Sequence, residues 1–236
     1  MTFLALHIDW HRIQRIGLAH LCEGLPGERR TRIDRYRKVE DRYRSALAGR
    51  LAIHLFQRSF PDCAVPPIRT DTLDRPYFEG WTGFDFNLSH SGDWVAGLAA
   101  KGAVGVDLER IVTEHRILLD VLSASERAAL EELPLEARAE RFTTLWTLKE
   151  AYAKAVGMGL RMDFSALAFD LLPDGRTATL QGDSSGRRFR IFRLDRQHIC
   201  ATCHDRECPT ATPEVIDAMQ FIRDASEIAG APCSFP

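Results

Sequence analysis

The chain has 236 residues, 45% of them hydrophobic and 27% charged, the proportions of a soluble globular protein rather than a disordered, fibrous or membrane-embedded one. At this length a folded chain buries roughly 70 to 75% of its unfolded surface, so its core needs neither disulfides nor a structural metal. Thirty-one Lys and Arg oppose 33 Asp and Glu, and the resulting net charge of -2 argues against a nucleic-acid binder or an acidic solvating tail. That total conceals an asymmetry. Residues 28–58 hold ten basic side chains against four acidic ones, and residues 107–140 hold nine acidic against four basic. Such segments suit a polyanionic ligand at one place and a cation at another, or simply two solvated helix faces.

Residues 1–10 lack the basic and apolar regions of a secretory signal, and no stretch reaches the roughly 18 apolar residues of a membrane span. A cytoplasmic protein with reduced cysteines is expected. Glu28 to Phe60 reads as one long helix or two in succession, with Ile33, Tyr36, Val39, Tyr43, Leu47, Leu51 and Leu55 three and four apart and arginines on the other faces. Pro61, Pro66 and Pro67 close it and open an irregular stretch. Phe84 to Ser89 alternates, Trp94 to Ala100 is apolar and Gly102 to Val106 leads into Asp107, which together predict a three-strand meander. Ser123-Ala-Ser-Glu126 is a capping box opening a helix that Pro134 stops, and Glu136 to Val156 is a longer helix ended by Gly157. Strands follow at 166–171, 177–180, 188–194 and 198–204. Cys200-Ala-Thr-Cys203-His204 has the spacing of a haem attachment, but residues three apart on a strand face opposite ways, so these are read as packing cysteines. A weak helical pattern runs from Pro213 to Ile228. The order helix, strands, helices, strands predicts an α+β chain of two comparable halves, 1–105 and 106–209, with a tail at 210–236.

Three features carry chemistry. Gly105-Val-Asp107-Leu-Glu109 ends an apolar strand, and residues two apart share a face, so two carboxylates meet there. Such a pair is either solvated or relieved by a divalent cation, for which Mg²⁺ suits hard oxygen ligands. On the long helix Trp146, Glu150 and Lys154 recur every fourth residue, as a plain ion pair on an amphipathic helix or as a third carboxylate and an ammonium facing the first two. Phe86-Asn-Leu-Ser89-His90-Ser91-Gly92 runs a strand into a polar turn, able to bind an anion or merely stabilised by its own hydroxyls.

Taken in order, Arg44 in a basic helix, Arg75-Pro76-Tyr77, Asn87-Leu-Ser89-His90-Ser91, Gly105-Val-Asp107-Leu-Glu109 and Trp146-Thr-Leu-Lys149-Glu150-Ala-Tyr-Ala-Lys154 resemble the 4′-phosphopantetheinyl transferases of the surfactin-synthetase-activating type, over about residues 28–205. The resemblance implies a monomeric pseudo-dimer of two similar α/β halves with coenzyme A and Mg²⁺ in the cleft between them. It implies transfer of the phosphopantetheine arm to a serine of an apo acyl or peptidyl carrier protein of a fatty-acid, polyketide or nonribosomal-peptide synthase, with release of adenosine 3′,5′-bisphosphate. By the same resemblance Asp107, Glu109 and Glu150 hold the metal, with Asp107 also at the coenzyme A site. Glu150, or a water on the metal beside it, accepts the serine proton, and Lys154 stabilises the departing phosphate. Arg44, Ser89 and His90 bind phosphates, Arg75 lies near the nucleotide, Lys149 and Lys154 also belong to the coenzyme A site, and Trp146 supports it by packing. Glu126 has a structural task already in its capping box. Arg75 stands where lysine is commoner in the family, and residues 111–122, where the family engages its carrier, show no matching pattern. The alternatives are a Mg²⁺-dependent phosphodiesterase, using the same acids on water, and a nucleotide or nucleic-acid binding module using the arginine-rich helix.

Overall fold

A computed structural model describes residues 1–112, 118–209 and 211–229. The first half contains β1 (Thr2–His7), α1 (Trp10–Ile16), α2 (Leu18–Cys22), α3 (Gly27–Arg35), α4 (Val39–Ser59), β2 (Ile68–Thr70), β3 (Pro76–Phe78), β4 (Phe84–Ser91) and β5 (Trp94–Lys101). The basic helical stretch is thus two helices. Tyr36 turns extended after α3, and its carbonyl is taken by Arg42 Nε at 2.8 Å, which fixes the break. The apolar stripe of α4, including Leu47, Leu51, Leu55 and Phe56, is fully buried, and α4 lies across β4 and β5. Each such side chain contributes about 1.5–3 kcal/mol by leaving water.

The second half contains β6 (Val104–Arg110), α5 (Ala124–Glu131), α6 (Leu135–Ala155), β7 (Phe169–Leu171), β8 (Thr177–Leu180), β9 (Arg188–Arg193) and β10 (His198–His204). The capping box is present: Glu126 N–H donates to Ser123 Oγ at 3.2 Å and Ser123 N–H to Glu126 Oε2 at 2.8 Å. In the tail the expected helix is present as α7 (Ala218–Ala229), but the residues before it form β11 (Glu214–Asp217), which joins the first half as a parallel neighbour of β1. Ala218, Phe221 and Ile222 are buried in the first-half core.

The two larger sheets run β11-β1-β5-β4 and β6-β10-β9-β8-β7, with β2-β3 a separate hairpin, so the expected three-strand meander is corrected: β6 leaves the sheet of β4 and β5 and pairs with β10. The reason lies in the side chains of β4. Alternate residues Asp85, Asn87, Ser89 and Ser91 point at β6 and accept the N–H groups of Val104, Val106, Leu108 and Arg110 at 2.9, 3.0, 3.2 and 3.1 Å. Each donor lies 19 residues after its acceptor. Side chains therefore take the place of backbone carbonyls, and the two parallel strands are held apart by the width of a residue. An apolar layer with Phe3, Trp94, Ala96 and Leu98 on one side and Val104, Val106, Leu108 and Cys200 on the other closes one face of this seam. Cys203 points away into the core beneath α6, the opposite facing expected of a strand.

Candidate active site

The other face of the seam is polar, and α6 sets its geometry. A Cβ on Gly105 would lie 1.9 Å from Ala151 O and 2.6 Å from Ala155 N, so the helix rests directly on the strand backbone. That contact brings Glu150 and Lys154, one turn apart, over Asp107. Lys154 Nζ donates to Asp107 Oδ1 at 2.6 Å, to Ser89 Oγ at 3.2 Å and to Val106 O at 3.2 Å. Ser89 Oγ donates to Asp107 Oδ1 at 2.9 Å, and Ser91 Oγ donates to Glu109 Oε2 at 3.3 Å.

Three carboxylates share this space. Burial, reinforced by the charge of Asp107, raises both Glu109 and Glu150 to about 7. Burial works to lower Lys154, but Asp107 outweighs it, with Glu150 and Glu109 assisting, and the ammonium is held above its ordinary value. Asp107 Oδ2 and Glu150 Oε1 are buried without a hydrogen-bond partner among the described residues. An unpaired buried carboxylate oxygen is costly, and a divalent cation satisfies hard oxygens of this kind. Among the described residues no three such side chains are already gathered as a ligand sphere. The Lys154 ammonium supplies the counter-charge on Asp107, and the unpaired oxygens of Asp107 and Glu150 are of the hard type that Mg²⁺ takes.

Opposite the acids lies a cationic wall. His90, Glu150, Lys154 and Arg75 border one cavity of about 340 Å³ together with Arg29 and Arg32 of α3. A second cavity of about 480 Å³ continues from it along the same two arginines to the β2–β3 hairpin. Arg44 lies 5.2 Å from the Trp10 ring centroid and 3.6 Å from Asp41, and its Nη1 is buried without a hydrogen-bond partner among the described residues. Burial, followed by the charges of Arg44, Lys154 and Arg29, lowers His90 to about 4, so its ring is neutral at physiological pH. Burial likewise lowers Arg29 to about 10. Crowded cations around an imidazole, with an Arg44 N–H that makes no hydrogen bond among the described residues, give this wall a positive field of the kind that suits a multiply charged anion. Arg29 and Arg32 were not singled out from sequence; Arg29, Arg32 and Arg35 recur every third residue on α3, a spacing that puts them on one side of the helix but does not pick out the two that border the cleft.

Residues 103–203 match the 4′-phosphopantetheinyl transferase superfamily, and residues 9–102 match the family's 4′-phosphopantetheinyl transferase N-terminal region. The chain belongs to the 4′-phosphopantetheinyl transferase family. The 4′-phosphopantetheinyl transferase psf-1 of Bacillus pumilus is 29% identical over 195 residues, covering 80% of this chain and 82% of its own. A phosphopantetheinyl transferase of Thraustochytrium sp. is 32% identical over 205 residues, covering 76% and 70%. The 4′-phosphopantetheinyl transferase Sfp of Bacillus subtilis is 25% identical over 179 residues, covering 75% and 80%. This protein is a transferase of the surfactin-synthetase-activating type that its motifs resemble.

Two of the expected ligand-binding residues of this transferase take other roles. Lys149 is fully buried and faces away from the cleft, its ammonium 2.6 Å from Glu126 Oε2 and donating to the carbonyls of Val121, Phe164 and Leu167. No donor is left for a ligand. The Ser89 hydroxyl is also spent, since it accepts from Leu108 N–H and Lys154 and donates to Asp107, so it orients a carboxylate. Trp146 packs edge-on against Phe164 with ring centroids 5.1 Å apart, a structural place in the transferase core. Arg75 binds Asp85 and donates to Val104 O at 2.9 Å, which fixes it at the border of the cleft.

The raised glutamates of the transferase predict a pH signature. Their folded values lie above the ordinary 4.5, so the folded chain holds these protons more tightly than the unfolded one. Stability is therefore lost as pH rises from about 4.5 through about 7. Without divalent cation, Glu150→Gln is expected to exceed the native chain in urea stability at pH 8 by about 1–3 kcal/mol, and to match it at pH 5. A gap that is equal at the two pH values excludes a raised Glu150.

Proposed function

We propose that this chain transfers the 4′-phosphopantetheine group of coenzyme A to a serine of an apo carrier protein, with Mg²⁺, and releases adenosine 3′,5′-bisphosphate. The observation that carries the reading is the cleft itself: Glu150 and Lys154 border one cavity with His90, Arg29 and Arg32, Arg44 acts on His90 through its charge, and buried oxygens of Glu150 and of Asp107, which Lys154 binds, have no hydrogen-bond partner among the described residues. Coenzyme A carries phosphates along its length, and the arginines and His90 hold them. Asp107, Glu109 and Glu150 hold the Mg²⁺, which when bound neutralises charge on the acids and on the pyrophosphate.

The carrier serine Oγ forms a bond to the phosphorus of the phosphopantetheine arm as the bond from that phosphorus to the bridging pyrophosphate oxygen breaks. The serine proton passes to Glu150, or to a water beside it, as general base. Lys154 turns from Asp107 toward the departing phosphate and stabilises its growing charge. The two halves, 1–105 and 106–209, are read as a pseudo-dimer within a monomer, and the residues after 209 as an accessory to the first half. The described residues contain no helix long and apolar enough to cross a membrane. A cytoplasmic enzyme serving fatty-acid, polyketide or nonribosomal-peptide carriers fits this reading.

The test is to incubate the protein with coenzyme A, Mg²⁺ and an apo carrier domain and to weigh the carrier. A gain of one phosphopantetheine is expected, abolished by EDTA and reduced more than about a hundredfold by Asp107→Ala, since a metal's charge supplies several kcal/mol. Unmodified carriers of several types, with coenzyme A cleaved, would make the chain a phosphodiesterase. Intact coenzyme A and unmodified carriers would leave only a binding module.

A further inference from the structure

The four side chains of the seam fall into two kinds. Asp85 and Asn87 only accept, Asp85 taking the Arg75 guanidinium as well as its N–H from β6, whereas Ser89 and Ser91 also donate to an acid of β6. Ser89 accepts Leu108 N–H and donates to Asp107, and Ser91 accepts Arg110 N–H and donates to Glu109. The same spacing occurs twice: a serine of β4, an acid 18 residues later and the N–H after that acid, with Ser89 alone also accepting from Lys154. A hydroxyl has one proton and two lone pairs, so an N–H delivered to its oxygen leaves the proton for the carboxylate.

We propose that Ser91 is a positioning residue for Glu109, so that the Ser89–Ser91 pair makes β4 of the first half the template on which the cation-binding acids of the second half are set. This rests on the reading of Asp107, Glu109 and Glu150 as the cation site. The template is rigid for reasons independent of the acids. After Ser91 the chain turns at Gly92, whose φ is +55°, and a Cβ there would lie 2.2 Å from His198 Nε2. The His198 ring is braced by Asp195 at 2.9 Å, and Asp195 in turn accepts Trp94 Nε1 at 2.8 Å. The turn therefore has an imidazole behind it that backs the end of β4, and the Ser91 hydroxyl reaches Glu109 Oε2 from that backed position. An ordered ligand needs such an outer partner, because a loose carboxylate loses rotamer freedom when it binds a cation.

The experiment measures Mn²⁺ binding to the full chain, without coenzyme A, by electron paramagnetic resonance and calorimetry, alongside urea stability and the KM for coenzyme A. Ser91→Ala is expected to weaken Mn²⁺ about ten- to a hundredfold, the loss of one hydrogen bond to a charged ligand. The KM for coenzyme A should hold within about twofold, and Ser91→Thr, which keeps the hydroxyl, should restore Mn²⁺ affinity. In a Glu109→Gln background Ser91→Ala should have no further effect on Mn²⁺, which a general structural role of Ser91 does not predict. Unchanged Mn²⁺ affinity in Ser91→Ala beside lost affinity in Asp107→Ala overturns the positioning role alone. Unchanged affinity in both overturns the cation reading with it. Should Ser91→Ala lower urea stability, the Thr variant and the Glu109→Gln comparison decide. Equal weakening by Ala and Thr, or an undiminished effect in the Glu109→Gln background, counts against the proposal.

Discussion

Gly105→Ala is expected to cut transfer about a hundredfold or more while much of the chain remains folded. The added methyl would meet Ala151 O at 1.9 Å and Ala155 N at 2.6 Å. Both are helix backbone, which cannot swing aside as a side-chain tip does, so α6 must lift or slide. Glu150 and Lys154 ride on that helix, and a displacement of about 1 Å at a reacting group costs about a hundredfold in rate. Overpacking adds about 1–3 kcal/mol of lost stability. Gly97 supplies the control, because a Cβ there meets only Leu51 and Leu55 side-chain carbons at 2.8–2.9 Å, beneath α4 and away from the acids. Gly97→Ala should therefore lower the urea midpoint and keep most of kcat/KM. Gly105→Ala retaining native kcat/KM would show that this contact does not set the site.

Much of this site was legible as local pattern. Two residues on a strand and four on a helix define faces, so Asp107 with Glu109, and Glu150 with Lys154, followed from spacing, and the strand and helix ends from Gly, Pro and the capping box. Two things were not legible. The alternation Asp85, Asn87, Ser89, Ser91 has the same appearance whether it faces water or replaces the carbonyls of a neighbouring strand. Only the register between β4 and β6 distinguishes these, and register belongs to tertiary structure. For the same reason β6 was placed in the wrong sheet. The second was the orientation of Lys149. It adjoins Glu150 in a motif read as functional, but about 100° around a helix separates neighbours, and the core behind α6 claims it. The pairing of β11 with β1 joins opposite ends of the described chain, which no local window contains.

Lys149→Met is expected to cost about 3–5 kcal/mol, since it strands Glu126 as a buried charge. The usual buried ion pair can be replaced by two apolar residues with little loss, sometimes with a gain. Here that rescue should fail. Glu126 accepts Ser123 N–H at 2.8 Å and Phe169 N–H at 2.9 Å, while Lys149 donates to Val121 O at 3.0 Å and to Phe164 O and Leu167 O at 2.7 Å. The pair therefore serves as the hydrogen-bond partner of five backbone groups on segments 121–123 and 164–169, tying both to α6. Glu126→Leu with Lys149→Met removes the charges and leaves those five groups short of partners, each costing about 1–3 kcal/mol where water does not reach. Urea denaturation of the two single variants and the double should show the double no more stable than the weaker single. A double variant close to the native chain would reduce the pair to an ion pair alone. One that falls as expected would make Lys149 and Glu126 the fastening that holds both segments to α6, from which Glu150 and Lys154 reach the cleft.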